Sequence, residues 1–220
     1  MLNFFTSTVG KKYLMGLTGL IWAGFVFAHM AGNMLIFVSA DAYNAYGHAL
    51  VSGYIIYAAE AVLIASLLVH VFCAFSLTIQ NRQARPNRYA ATPNGEKGAT
   101  VASKTMAVQG SLVLFFIITH LMTFKFGAHY TTIVNGVEMR DLAKLMVEVF
   151  QQPGYVFWYV ISLLVLMTHL RHGIGSLFQS FGLLERRHQP GIKKISWAYA
   201  VVVTVGFLSQ PIYVYLIANK

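Results

Sequence analysis

The chain has 220 residues, 57% of them apolar and 10% charged, with a net charge of +9. A soluble domain carries roughly 25% charged residues, so 16 Lys and Arg with seven Asp and Glu cannot cover a water-facing surface, and a soluble single-domain enzyme is excluded. Cys73 is the single cysteine, which excludes a disulfide framework, a thiolate-held iron–sulfur cluster and covalent haem attachment through C-x-x-C-H.

A bilayer core of about 30 Å needs about 20 residues of helix, and five stretches qualify. Residues 13–38 form the first, free of Asp, Glu, Lys and Arg. Residues 53–80 form the second, with Glu60 as its one charge, and residues 105–124 the third, with none. Residues 154–182 form the fourth, holding only Arg171, and residues 195–219 the uncharged fifth. In hydrocarbon the backbone must satisfy its own hydrogen bonds, and no alternating ten-residue pattern suggests a barrel. The expectation is therefore an all-α polytopic membrane protein, a five-helix bundle in one membrane domain over residues 1–220. The first stretch is too long for a signal-peptide core and has no small-residue cleavage site after it, so it is expected to remain.

Before the fourth span, residues 137–150 place Met139, Leu142, Leu145, Met146 and Val149 at helical spacing opposite Glu138, Asp141, Lys144 and Glu148. That predicts a short helix lying on the membrane surface as an amphipathic cover. Gln151-Gln152-Pro153-Gly154 ends it, and Pro153 suits the first turn of the next helix.

The connections divide by charge. Lys11, Lys12, Arg82, Arg85, Arg88, Lys97, Lys104, Arg186, Arg187, Lys193 and Lys194 fall on one side; the other side has Lys125, Arg140, Lys144 and Lys220, three of them beside Glu138, Asp141 and Glu148. The positive-inside rule makes the N-terminus cytoplasmic and the C-terminus external in a cell inner membrane. The basic excess is thus a topology signal and not a nucleic-acid footprint, and it also suits docking of an acidic protein surface.

Four histidines lie deep in four consecutive spans: His29, His70, His120 and His169, with His172 one turn beyond the last. A lone histidine in an apolar helix is ordinarily a packing residue, but ionisable groups in a membrane are costly and face a partner or cavity. At 1.5 Å per residue His70 is roughly 26 Å from the outer end of its span and His169 roughly 24 Å from Pro153. On the same rise His29 is about 18 Å from Asp41 and His120 about 8 Å from Lys125. The four sort into an inner pair, His70 with His169, and an outer pair, His29 with His120.

Two facing imidazoles at one depth, twice, match haem b irons with two axial histidines each. Zinc is the competing metal, but it asks for three or four ligands at one depth. His169 and His172, about 60° apart around one helix, cannot ligate one iron from opposite faces. Gly19 and Gly110 each precede a histidine by ten residues, and Gln80 and Gln179 each follow one by ten, a faint repeat relating spans one and two to three and four. Gly24, Gly32, Ser66, Gly173 and Gly175 are small enough to let a flat macrocycle, or simply another helix, approach.

The runs His29-Met30-Ala31-Gly32-Asn33, Tyr43-Asn44-Ala45-Tyr46-Gly47-His48, His120-Leu121-Met122-Thr123-Phe124-Lys125-Phe126-Gly127 and His169-Leu170-Arg171-His172-Gly173, followed by Ser176 and Phe178-Gln179, carry a resemblance. Across essentially the whole chain they resemble the dihaem cytochrome b558 membrane-anchor subunit of succinate dehydrogenase and fumarate reductase, in its single-polypeptide, five-helix form. The resemblance implies two haem b groups, held by His70 with His169 near the cytoplasm and His29 with His120 near the outside. It implies a flavoprotein and an iron–sulfur subunit on the cytoplasmic face, menaquinone or ubiquinone in the membrane, and a complex that can be dimeric. The chain would be the quinone-reactive electron-transfer subunit of a respiratory-chain and tricarboxylic-acid-cycle enzyme, with dicarboxylate chemistry on another subunit.

Within that reading each ligand's second N–H is expected to donate to a carbonyl of its own helix, and His172 is a neighbour of the site. Arg171 either pairs with a haem propionate or reaches for the interface. Glu60 is either a proton-transfer group near an outer quinone site or a neutral acid in a polar helix contact, and His48, in the outer loop, is a second candidate for the quinone. Two other readings compete: a dihaem cytochrome b serving a hydrogenase or formate dehydrogenase outside the membrane, and a haem-free five-span transporter whose histidines relay protons. No phosphate loop or nucleophile motif is present.

Overall fold

A computed structural model describes residues 2–84, 101–183 and 185–217. Arg85, Arg88, Lys97 and Lys220 of the charge pattern lie outside them. In chain order the elements are α1 (Leu2–Thr6), α2 (Thr8–Asn33), α3 (Ala40–Val51), α4 (Ile55–Gln83), α5 (Val101–His120), β1 (Thr131–Val134), β2 (Val137–Arg140), α6 (Leu142–Phe150), α7 (Pro153–Ser180) and α8 (Gln189–Ile217). Among the described residues five helices are long and apolar enough to cross a bilayer: α2 with the tight turn Met34–Phe37, α4, α5 with its continuation to Lys125, α7 and α8. The chain is an all-α, multi-pass membrane protein.

At one end the helices overrun the charge-free stretches. Ser7 caps α2 by accepting from Gly10 N at 3.0 Å, so the helix takes in Lys11 and Lys12; α8 likewise begins four residues before Lys193. Long basic side chains on a terminal turn extend to the interface while their stems stay apolar. Pro153 opens α7, and Gly182, at φ 72°, closes it with Leu183 N donating to Phe178 O at 2.9 Å.

In the membrane α2 packs on α4 and α7, α5 packs on α7, and α4 meets α5 only sparingly, so α2 stands diagonally across from α5 and α4 across from α7. The fifth helix, α8, lies along α7 and touches α2. Lipid gives helices no hydrophobic reason to associate, so close packing of small side chains decides the seams. Ala200 and Val203 are fully enclosed against Leu163, Leu166 and Leu170, and Tyr199 donates its hydroxyl to the Ala23 carbonyl at 2.5 Å.

The other end is capped by α3, the β1–β2 hairpin and α6. Leu145, Met146, Val149 and Phe150 of α6 are buried with Tyr43, Tyr159 and Val214, so this helix roofs the bundle. Residues 137–140 are not helical, contrary to the expectation: they form β2, paired antiparallel with β1 so that Val134 faces Val137. Asn135 and Gly136 both adopt positive φ, 52° and 79°, the backbone of a two-residue hairpin turn. The surface helix therefore begins at Leu142, where the Asp141 carboxylate accepts from Lys144 N at 3.0 Å. His48 lies in a helix, α3, and not in a loop.

Candidate functional site: two histidine pairs on the bundle diagonals

The diagonals bring the four membrane histidines together in twos. His29 on α2 and His120 on α5 have ring centroids 5.9 Å apart and planes crossed at 83°. His70 on α4 and His169 on α7 are 6.5 Å apart, crossed at 63°. The first pair is nearer the hairpin end. Two imidazoles on opposite sides of one metal, each bonded at about 2.0–2.1 Å, have centroids about 6 Å apart, so both spacings admit a metal. Among the described residues no three His, Cys, Asp or Glu side chains gather as a metal-binding group, which leaves zinc's ordinary demand for three or four ligands unmet.

A ligating ring binds through one nitrogen, and the partner of the other fixes its tautomer and orientation. His70 Nδ1 lies 3.1 Å from Thr18 Oγ1. With that hydroxyl's one hydrogen on an α2 carbonyl, Leu14 O at 2.8 Å or Met15 O at 3.2 Å, it is an acceptor toward the ring, the arrangement that goes with a proton on Nδ1. Nδ1 then carries the proton and Nε2 keeps a free lone pair. His120 Nδ1 lies 3.0 Å from the hydroxyl of Tyr159 on α7. For these two rings the second nitrogen meets a hydroxyl on a neighbouring helix, where the sequence reading expected a carbonyl of the ligand's own helix. His169 Nδ1 is buried without a partner.

His29 differs. Its Nε2 is 3.3 Å from Asn33 Nδ2, a long contact, while the same amide donates to the His29 carbonyl at 2.8 Å. Asn33 is held in turn by Tyr43, whose hydroxyl donates to Asn33 Oδ1 at 2.7 Å. Burial pushes the Tyr43 phenol above its ordinary pKa, which keeps that donor protonated.

Missing side chains make room. A Cβ on Gly19 would stand 3.4 Å from His70 Cε1, and one on Gly110 3.6 Å from His169 Cε1. The two glycines of the faint repeat thus both back the second pair, from α2 and from α5. Nothing lies within 4 Å of where a Cβ on Gly24 or Gly173 would be. Gly32 and Gly175 serve helix packing instead, against Tyr46 and Ser196. The ring spacings of both pairs, and at the second pair the glycine cradle, are compatible with bis-histidine ligation of a haem; at the first pair His29 Nε2 faces the Asn33 amide.

The remaining sequence candidates lie outside the pairs. Arg171 stacks its guanidinium over Trp197 of α8 at 4.2 Å. His172 is half-buried one turn beyond His169 and belongs to neither ring pair. Glu60 forms an ion pair with Lys125, joining the ends of α4 and α5, and both side chains are partly exposed. No hydrogen bond or ion pair joins Glu60 to His48. Thr18, Asn33 and Tyr159 are the site residues that sequence reasoning missed: Asn33 could have been found from its place four residues after His29 on one helix, whereas only helix rotation shows which hydroxyls of neighbouring helices meet a histidine. No protein-family model matches the chain, and no curated protein or solved structure matches it either.

Proposed function

We propose that the chain is the dihaem cytochrome b anchor of a succinate:quinone oxidoreductase or quinol:fumarate reductase, carrying electrons between an iron–sulfur subunit and membrane quinone. The observation that carries the reading is the pair of diagonals, each closing two imidazoles at a metal-spanning distance, 5.9 and 6.5 Å, at two depths. The resemblance of the histidine-bearing runs supplies the type of complex.

Two b-type haems, when bound, supply one-electron carriers at two levels of the bilayer. The chain's own residues do the rest. His70 and His169 are the ligands at the basic, cytoplasmic end, and His29 and His120 those at the outer, hairpin end of a cell inner membrane. Thr18 keeps the proton of His70 on Nδ1 and so keeps Nε2 available to a metal. Gly19 and Gly110 leave the ring edges of the inner pair unobstructed. Glu60, held by Lys125 where α4 and α5 barely touch, is the carboxylate available to a quinone arriving from lipid, with His48 on α3 as the second candidate. A flavoprotein and an iron–sulfur subunit dock on the cytoplasmic face, and dicarboxylate chemistry stays with them.

The test is a dithionite-reduced spectrum and a pyridine haemochrome assay on the purified chain. Two b haems per chain are expected. His70→Ala or His169→Ala should remove one, and His29→Ala or His120→Ala the other, each pair of variants leaving the same residual spectrum. A colourless chain, or four variants that all keep both haems, overturns the reading.

A further inference from the structure

We propose that Tyr159 is a positioning residue for the outer pair: its hydroxyl accepts the Nδ1 proton of His120 and thereby holds down the reduction potential of the iron which that ring binds. The proposal rests on the dihaem reading. Tyr159 is 6% exposed, and its oxygen lies 3.0 Å from His120 Nδ1. Its ring is fixed by edge contacts with Phe116 and Phe150, centroids at 5.0 and 4.9 Å. Among the described residues the hydroxyl makes no other hydrogen bond. A buried phenol oxygen left without a partner costs roughly 1–3 kcal/mol, and the His120 imidazole is the group here that can supply it a hydrogen, the phenol's own hydrogen then facing the surrounding aromatic side chains.

With Nε2 of His120 committed to a metal, Nδ1 must carry the hydrogen, so the phenol accepts. An N–H donating to oxygen makes the imidazole a stronger electron donor, which favours the oxidised metal. In a dry aromatic pocket that polarisation is stronger than it would be in water. The two pairs are not equivalent here: a phenol held on the bundle roof serves His120, whereas the aliphatic hydroxyl of Thr18, already donating to its own helix, serves His70.

Potentiometric titration of the purified chain tests this. Tyr159→Phe keeps the packed ring and removes only the acceptor. Both haems should stay, and one midpoint should rise by ~59 mV, a tenfold fall in the oxidised-to-reduced ratio at a given potential for one electron, with the other unmoved. Thr18→Val should raise the other midpoint and leave the first. Unchanged potentials in the Tyr159→Phe chain, or two potentials moving together, overturn the proposal. If that variant releases a haem, the chain with 3-fluorotyrosine at position 159 decides, since fluorine weakens the oxygen as acceptor: a smaller rise of the same midpoint supports the proposal and no rise overturns it. A wild-type chain without haem is a different failure, that of the dihaem reading, and is seen before any variant is made.

Discussion

A side chain that is absent shapes the inner pair as much as those present. Gly19 and Gly110 each sit ten residues before an outer-pair histidine on their own helices, yet each faces an inner-pair histidine on a neighbouring one, His70 and His169. An alanine at either position meets the ring at an ordinary contact distance, whereas a leucine must push it, and overpacking of this kind costs about 1–3 kcal/mol. On the proposed dihaem reading, Gly19→Leu and Gly110→Leu are therefore both expected to weaken the inner haem, about 10–100-fold in affinity by the yardstick of lost supporting contacts, and to spare the outer one. Haem stoichiometry with the residual midpoint potential reads this directly; loss of the outer haem from either variant would mean that the glycines serve their own helix. The division of four histidines into two depths was legible in the sequence because helical rise is constant along a chain. Asn33 was legible too, four residues after His29 on the same helix, but Thr18 and Tyr159 were not, since they meet their rings through the rotation of α2 and α7 against neighbouring helices, which no spacing encodes.

Among the elements, α3 and the hairpin carry the departures from expectation. The run Tyr43-Asn44-Ala45-Tyr46-Gly47-His48, whose His48 the sequence reading placed in a loop, forms a helix because Ser39 accepts from Ala42 N at 3.0 Å and Asp41 sits in the first turn. Its side chains are architectural: Tyr43 holds Asn33, and Tyr46 fills the place a Cβ on Gly32 would take. Asn44, 2% exposed, donates to the Asp141 carboxylate at 2.9 Å and accepts from Ala143 N at 2.9 Å, tying α3 to the start of α6. Asn44→Ala leaves the buried Ala143 N–H without its acceptor, at about 1–3 kcal/mol, and leaves the Asp141 carboxylate with only its bond from Lys144 N. At about 2–4 °C per kcal/mol for a chain of this size, thermal melting in detergent should fall by several degrees. Asn44→Asp keeps the acceptor but sets a second carboxylate against Asp141, and should melt lower still; a melting point equal to wild type in both would show that the roof is held elsewhere. The hairpin was encoded as plainly, by Asn135-Gly136 between β-branched Thr131, Thr132, Ile133, Val134 and Val137. Met139 obscured it, since it continues the apolar period of α6 while being buried from a strand.

Over the whole molecule the charge asymmetry is sharper in three dimensions than along the chain. At the hairpin end the three described lysines and arginines are engaged: Lys125 with Glu60, Arg140 with the carbonyls of Lys125 and Ala128, and Lys144 over the ring of Tyr130 at 4.4 Å. That ring's phenol, bonded to Glu148, is held above its ordinary pKa and stays neutral beside the lysine. At the opposite end Lys12, Arg82, Arg187, Lys193 and Lys194 are exposed on helix ends that all point the same way, because α2, α5 and α8 begin there and α4 and α7 finish there. A face with exposed cations, Arg187 among them paired with Glu185 at 2.6 Å, is held on the cytoplasmic side during insertion and attracts an acidic partner over roughly a Debye length, about 8 Å in physiological salt. On the proposed function, one orientation would serve both insertion and the docking of the soluble subunits. Cys73, 1% exposed, gives no labelling background, so single cysteines read the orientation cleanly. Asn135→Cys at the hairpin turn should react with a membrane-impermeant maleimide in intact cells, and Arg187→Cys only after permeabilisation. The reverse pattern would turn the basic face outward and put the docking partner there too, which is the arrangement a periplasmic hydrogenase or formate dehydrogenase requires.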